Sequence, residues 1–188
     1  IYGTSNAAEN VVEDILFPSN IYPDAGYLSV AISPSVIGNI SGAFTYMRDY
    51  PYPCWEQKLS RAAMGGYYQK LQPYLPADVT WEGVETFPQE ILDQARNYQA
   101  PNGGMTYFVA KNNYVSPYLS AYTALAFNWL RDMGYKVPAD VEHALHDYLK
   151  KYLRKASDEQ YRGHASTVRA VILAALVQHE NAVTLEDV

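Results

Sequence analysis

The stretch from residue 116 to 133 constrains the fold more than any other. Ser116 is a strong N-cap residue, and Pro117 falls at the first helical position, where its missing N–H costs nothing. Leu119, Tyr122, Ala126, Leu130 and Met133 then recur at helical spacing. Leu125, Phe127 and Trp129 fall off that stripe. A surface helix has one apolar side; a helix apolar most of the way round is enclosed by other helices. Gly134 can close it in a left-handed conformation. The chain must therefore supply helices on several sides of this one, as a helical toroid or a layered solenoid does.

The flanking sequence supplies them. Ile40, Phe44 and Met47 follow an i, i+4, i+7 rule, and the run from Cys54 to Leu71 places Leu59, Ala63, Tyr67 and Leu71 on one stripe. Thr86 to Gln89 reads as a capping box ahead of Ile91, Ala95 and Tyr98. Asn102-Gly103-Gly104 is a turn signal, with a short extended piece expected from Met105 to Val109. Pro138 opens a helix with Val141, Leu145, Tyr148 and Tyr152 facing inward, and a last helix runs near Ser166 to His179. Five or six helices with short connections form αα-hairpins. The expected class is all-α, with antiparallel helical hairpins over 37–188 and no strict sequence repeat. Residues 1–36 differ. Leu28, Val30 and Ile32 alternate as on a strand that Pro34 ends. A lone strand needs a sheet, so this segment is expected to belong to a neighbouring β-domain of a longer parent, and the helical part to be partial.

Charge and composition narrow the function. Of 188 residues, 14 are Lys or Arg and 20 are Asp or Glu, a net charge of −6. With pI near 5.1, no basic face for nucleic acid is expected. The longest fully apolar run, Ala170 to Val177, is too short to cross a bilayer. The single cysteine, Cys54, excludes an internal disulfide and any multi-cysteine metal site. No cofactor is expected.

The sharpest local feature is Tyr50-Pro51-Tyr52-Pro53-Cys54-Trp55-Glu56-Gln57. The two prolines hold it extended, and Pro53 delays any helix until Cys54 or later. Cys54 and Gln57 are i and i+3, so at a helix start a thiol and a carboxamide share one face. Free N–H groups there lower a thiol pKa and polarise a carbonyl. Loss of ammonia from Gln57 would join the two as an internal thioester, an acyl group that survives only if kept dry. Tyr50, Tyr52, Trp55, Tyr67 and Tyr68 lie where they could exclude water.

Cys-x-Glu-Gln followed by a long helix resembles the thioester signature of the alpha-2-macroglobulin and complement family. Tyr50 to Gln57 is similar to the bacterial branch's Tyr-Pro-Tyr-Gly-Cys-x-Glu-Gln, with Pro53 in place of Gly and Trp55 at a position that varies among bacterial members. Ser60-Arg61, Asn102-Gly103-Gly104, Val115 to Tyr122 and Gly134 to Pro138 extend the resemblance over roughly residues 26 to 175. It implies an α/α-toroid thioester domain inserted in a small β-domain. It implies a single-use protease trap rather than an enzyme. After cleavage of a bait segment elsewhere in the parent, a lysine amine of the protease attacks the Gln57 acyl carbon and Cys54 leaves as thiolate. Glu56 belongs to the motif, with helix capping or loop orientation as its expected role. The partners implied are target proteases and other domains of the parent, and the implied location is the periplasm or cell envelope. The resemblance supplies no acyl-transfer histidine: His164 is nearest by chain position, and its flanks do not match.

Competing readings rest on other residues. An α/α-toroid glycoside hydrolase or lyase would use a carboxylate pair among Asp49, Glu56, Glu85 and Asp93, and the 18 tyrosines could line a sugar cleft. No spacing singles out a pair, and most tyrosines sit on helix stripes. A non-catalytic helical binding module is the third reading. His143 and His146, three apart, have the spacing of a two-ligand metal site but no evident third ligand; no metal is expected.

Overall fold

The computed structural model describes residues 40–110, 114–155, 165–180 and 182–184, with isolated positions between 12 and 26. Among the described residues there are six α-helices and no strand: α1 Ser41–Arg48, α2 Trp55–Leu71, α3 Phe87–Asp93, α4 Pro117–Asp132, α5 Ala139–Lys155 and α6 Ala165–Leu176. The expected strand at 27–33 and His164 lie outside the described residues. No described helix is long and apolar enough to cross a membrane.

α4 is the enclosed helix that its sequence requires. It packs against α2, α5 and α6. Leu119, Ala121, Ala124, Ala126, Phe127 and Leu130 are fully buried, while Leu125 and Trp129 pack at the edge of the same core. Ser116 caps it as expected, its side chain accepting the Leu119 N–H. Gly134 follows with φ of 95°, and the Tyr135 N–H returns to the Leu130 carbonyl.

Elsewhere the helices form but some faces turn. On α5 the buried line is Val141, Leu145, Leu149 and Leu153. Tyr148 and Tyr152 stand beside it, half-buried. Each of these phenols has a ring that can pack and an oxygen that needs water, so leucine takes the dry line. α2 buries Trp55, Leu59, Ala62, Ala63 and Tyr68, and leaves Tyr67 exposed. Thr86 makes no side-chain cap. Its expected partner Gln89 is used elsewhere: the Gln89 amide donates to the Lys136 carbonyl and accepts the Lys136 N–H, tying α3 to the loop before α5.

A smaller cluster forms where α1 meets α2. Phe44, Tyr68, Trp81 and Val84 are buried there. Arg61 of α2 closes the end of α1, donating to the Met47 and Arg48 carbonyls while lying over the Phe87 ring. Those are carbonyls a helix end leaves unpaired.

The loop at 99–110 carries the last constraint. Gly103 has φ of 90°. The Gln99 amide donates to the Gly103 and Val141 carbonyls, fastening the loop to α5. The expected extended piece at 105–109 reduces to one isolated bridge between Gln99 and Met105.

Candidate functional site

Cys54 is the N-cap of α2, with extended backbone at φ −68° and ψ 161°. Pro53 cannot be helical interior here, so the helix begins one residue after the cysteine. Cys54 and Gln57 cap each other reciprocally. The Gln57 N–H donates to the Cys54 sulfur, and the Cys54 N–H donates to Gln57 Oε1 at 3.3 Å. This is the capping box usually built from Ser or Thr with Glu or Gln, built here with a thiol. Each side chain thus meets the backbone N–H of the other residue. Cys54 is buried, and Gln57 is half-buried.

Trp55 fixes the turn from the inside. It is fully buried. Its backbone N–H donates to the Tyr107 carbonyl at 2.8 Å. Its indole N–H donates to Thr123 Oγ1 on α4 at 3.0 Å, and its ring stacks on Tyr98 at 4.9 Å. The first residue of α2 is thus held by three separate segments. Lys58, one turn on, lies over the Tyr98 ring and donates to Gln94.

Glu56 lies in the first turn, where a carboxylate complements the helix dipole. Its carbonyl accepts from the Ser60 hydroxyl, which is 2.7 Å from the Tyr122 hydroxyl. Burial raises the pKa of both Tyr122 and Tyr50, and the Glu56 charge adds to each rise. Glu56 therefore lies within electrostatic reach of two phenols.

The expected aromatic shield is reassigned in part. Trp55 is in place. Tyr52 and Tyr67 are exposed, and Tyr68 belongs to the cluster beneath α1. Tyr46, Tyr50 and Tyr52 instead form a chain of ring contacts leading to the turn, at 5.2 and 5.6 Å. Tyr98 and Tyr107, which the sequence does not single out for this purpose, reach Trp55 instead, Tyr98 by ring stacking and Tyr107 through its backbone carbonyl. Only their contacts across the fold reveal it.

Two of the carboxylates proposed for a hydrolase have partners of their own. Asp49 is bound by Arg48, which holds its pKa below the usual range. Asp93 accepts from Gln89. An open cleft of about 720 Å³ lies beside α1, α2 and α3, lined by Arg48, Asp49, Arg61, Trp81 and Phe87 among others. It does not include Cys54 or Gln57.

The histidines also rearrange. His143 is exposed and faces Asp147. His146 turns inward, its ring 4.5 Å from that of His179. Sequence spacing pairs His146 with His143; the fold pairs it with His179.

Comparison with known proteins gives structural matches only. No protein-family model matches the chain, and no curated protein does. Over most of its length the chain shares a fold with the C-terminal part of alpha-2-macroglobulin from Escherichia coli. The crystal structure of that native protein from domain MG7 to the C-terminus matches with a TM-score of 0.63 and 22% identity, over 79% of this chain and 24% of that one. The cryo-EM reconstruction of its native conformation matches with a TM-score of 0.59 and 24% identity, over 74% of this chain and 9% of that one. The chain therefore spans about a quarter or less of the proteins it resembles.

Proposed function

We propose that Cys54 and Gln57 form an internal thioester, and that the chain is part of the thioester domain of an alpha-2-macroglobulin-like protease trap. The observation that carries this reading is the reciprocal cap. The same two N–H groups that hold the pair together serve the chemistry. The Gln57 N–H lies on the sulfur that attacks and later leaves. The Cys54 N–H points at Oε1, the oxygen that becomes an oxyanion when Cδ is attacked. Attack of sulfur on Cδ breaks the C–N bond, and the amide nitrogen leaves as ammonia after taking a proton. The enclosed Trp55 supports a linkage that must be kept from water.

The second half reverses the roles. A lysine amine of the bound protease attacks the acyl carbon and loses a proton. The C–S bond breaks, and the Cys54 thiolate leaves toward the Gln57 N–H and takes up a proton from water. An amide then tethers the two proteins. Cys54 is a leaving group in this step, and turnover does not follow because the product is covalent. Glu56 acts through the turn, placing negative charge at the start of α2 and orienting the residues around Ser60 and Tyr122. The bait segment, the remaining helices of an α/α toroid and the β-domain belong to the parent chain. Such a trap works in the periplasm or cell envelope.

The test is the intact mass of freshly purified protein kept free of amines. A thioester predicts a mass short by one ammonia and no titratable thiol. Methylamine should then add to Gln57 and release one thiol. A full mass with a free Cys54 sulfhydryl in fresh full-length parent would refute the proposal.

A further inference from the structure

We propose that Glu142, His146 and His179 form a binding site for a divalent transition-metal ion of the zinc type. Glu142 and His146 are one helical turn apart on α5, so they project from the same face. His179 reaches them from the turn after α6. One donor atom from each of the three lies within 4.8 Å of the others. Glu142 Oε1 is 3.9 Å from His146 Nε2 and 4.0 Å from His179 Nε2. Ligands of a tetrahedral zinc ion, at bond lengths of about 2.0–2.2 Å, stand roughly 3.3–3.6 Å apart. Side-chain adjustments of under an ångström bring these three to that spacing.

Two features favour an ion over a plain hydrogen-bonded cluster. His146 Nε2 is buried and makes no hydrogen bond. An orphaned buried nitrogen is costly, and a metal ion is a partner that its lone pair can satisfy. The surroundings are also built to orient the donors. The Arg131 guanidinium donates to Glu142 and to Asn128. Asn128 Oδ1 is 2.9 Å from His179 Nε2, while its amide nitrogen holds the Ala175 carbonyl of α6. The Arg131 contact is of the kind that sets ligand orientation in metal sites, whereas Asn128 occupies the His179 nitrogen that faces Glu142. Arg131 donates to Glu142 Oε1, the oxygen that also faces both histidines, so an ion would share Oε1 with Arg131 or draw on Oε2. His179 would exchange Asn128 for the ion. Burial first, then His179, hold the His146 pKa down at about 4, which leaves its lone pair free at neutral pH.

Two imidazoles and one carboxylate select zinc, nickel, copper or iron over magnesium and calcium. Three protein ligands leave the fourth position open to water. The ion would fasten the start of α5 to the end of α6.

The test titrates zinc into the chelator-treated 188-residue chain by calorimetry, with the thermal midpoint as a second readout. One ion should bind per chain, and the midpoint should rise with zinc. His146→Gln and His179→Gln should each weaken binding at least about tenfold, the order expected for loss of a supporting group or more. His143→Ala and Cys54→Ala should leave it unchanged. If His146→Gln does not fold, His179→Gln decides. Absence of saturable zinc binding overturns the proposal. So does binding that survives His179→Gln, or that is lost in His143→Ala or Cys54→Ala.

Discussion

Substituting Gly103 by alanine separates two costs that usually arrive together. Gly103 and Gly83 both have positive φ, 90° and 72°. An L side chain in that region costs about 1–2 kcal/mol, offset by about 0.4–1 kcal/mol because alanine restricts the unfolded chain. At Gly83 a new Cβ meets nothing within 4 Å, so Gly83→Ala should cost about 1 kcal/mol. At Gly103 the same Cβ stands 2.2 Å from the Ala144 carbonyl oxygen and 2.9 Å from its carbon. Both are helix backbone and cannot swing aside. The loop must retreat by about an ångström, an overpacking cost of about 1–3 kcal/mol. Retreat also loosens the two Gln99 bonds to Gly103 and Val141, at 2.9 and 2.8 Å, each contributing about 1 kcal/mol. Gly103→Ala should therefore cost about 3–5 kcal/mol, against a total stability of about 5–15 kcal/mol for a domain. Urea unfolding followed by far-ultraviolet dichroism measures both variants, with the slope expected to stay constant. The same loop supplies the Tyr107 carbonyl to the Trp55 N–H, so amide exchange at Trp55 should speed up in Gly103→Ala alone. Equal destabilisation of the two variants would refute the close-approach argument.

Three further outcomes follow from the contacts. Trp55→Ala should destabilise by about 3–5 kcal/mol, since a fully buried indole leaves a cavity that surrounding helices cannot fill; urea midpoints read it, and in a thioester-bearing protein the acyl linkage should hydrolyse faster by mass spectrometry. Asn128→Ala should cost about 2–3 kcal/mol by removing the donor to the Ala175 carbonyl and leaving that group buried; an effect within error of wild type would show that water takes the amide's place. In metal-free protein the depressed His146 pKa makes the unfolded state bind more protons between pH 6.5 and about 4. Stability should therefore be fully present above pH 6.5 and fall as pH drops toward 4, and His146→Phe should flatten that part of a stability–pH curve.

The fold was legible where pattern and burial coincide. Residues 116–133 read as an enclosed helix because their apolar side chains surround the axis, and α4 is enclosed. Caps followed local chemistry at Ser116, whose hydroxyl has one obvious donor to accept. They failed at Thr86, whose backbone is helical at φ −100° and ψ −27° rather than extended as a capping residue requires, while the Gln89 side chain binds Lys136. On α5 the stripe was displaced by one residue, since Tyr and Leu score alike in a pattern but differ in how much water the oxygen demands. At the site, Cys54 and Gln57 were readable because their partnership is local. Tyr98, Tyr107 and Thr123 were not, because each reaches Trp55 across the fold. The same holds for His179, which no spacing along the chain connects to His146.

The polar residues buried on α4 explain how an otherwise oily helix chooses its neighbours. Apolar contact alone would let α4 rotate or slide, since Leu, Ala and Phe pack with little directional preference. Three side chains remove that freedom. Ser120 accepts the Met105 N–H and donates to the Ser116 carbonyl, fixing the loop at 99–110. Thr123 donates to the Leu119 carbonyl and accepts the Trp55 indole N–H, fixing the start of α2. Asn128 donates to the Ala175 carbonyl and accepts from Arg131, fixing the end of α6. Each is satisfied on both sides, so burial carries no orphan penalty, while any shift in register breaks a bond that has no replacement in the core. One helix thereby sets both the turn that carries Cys54 and Gln57 and the cluster around His179, and the polar positions, rather than the apolar stripe, decide where each of them sits.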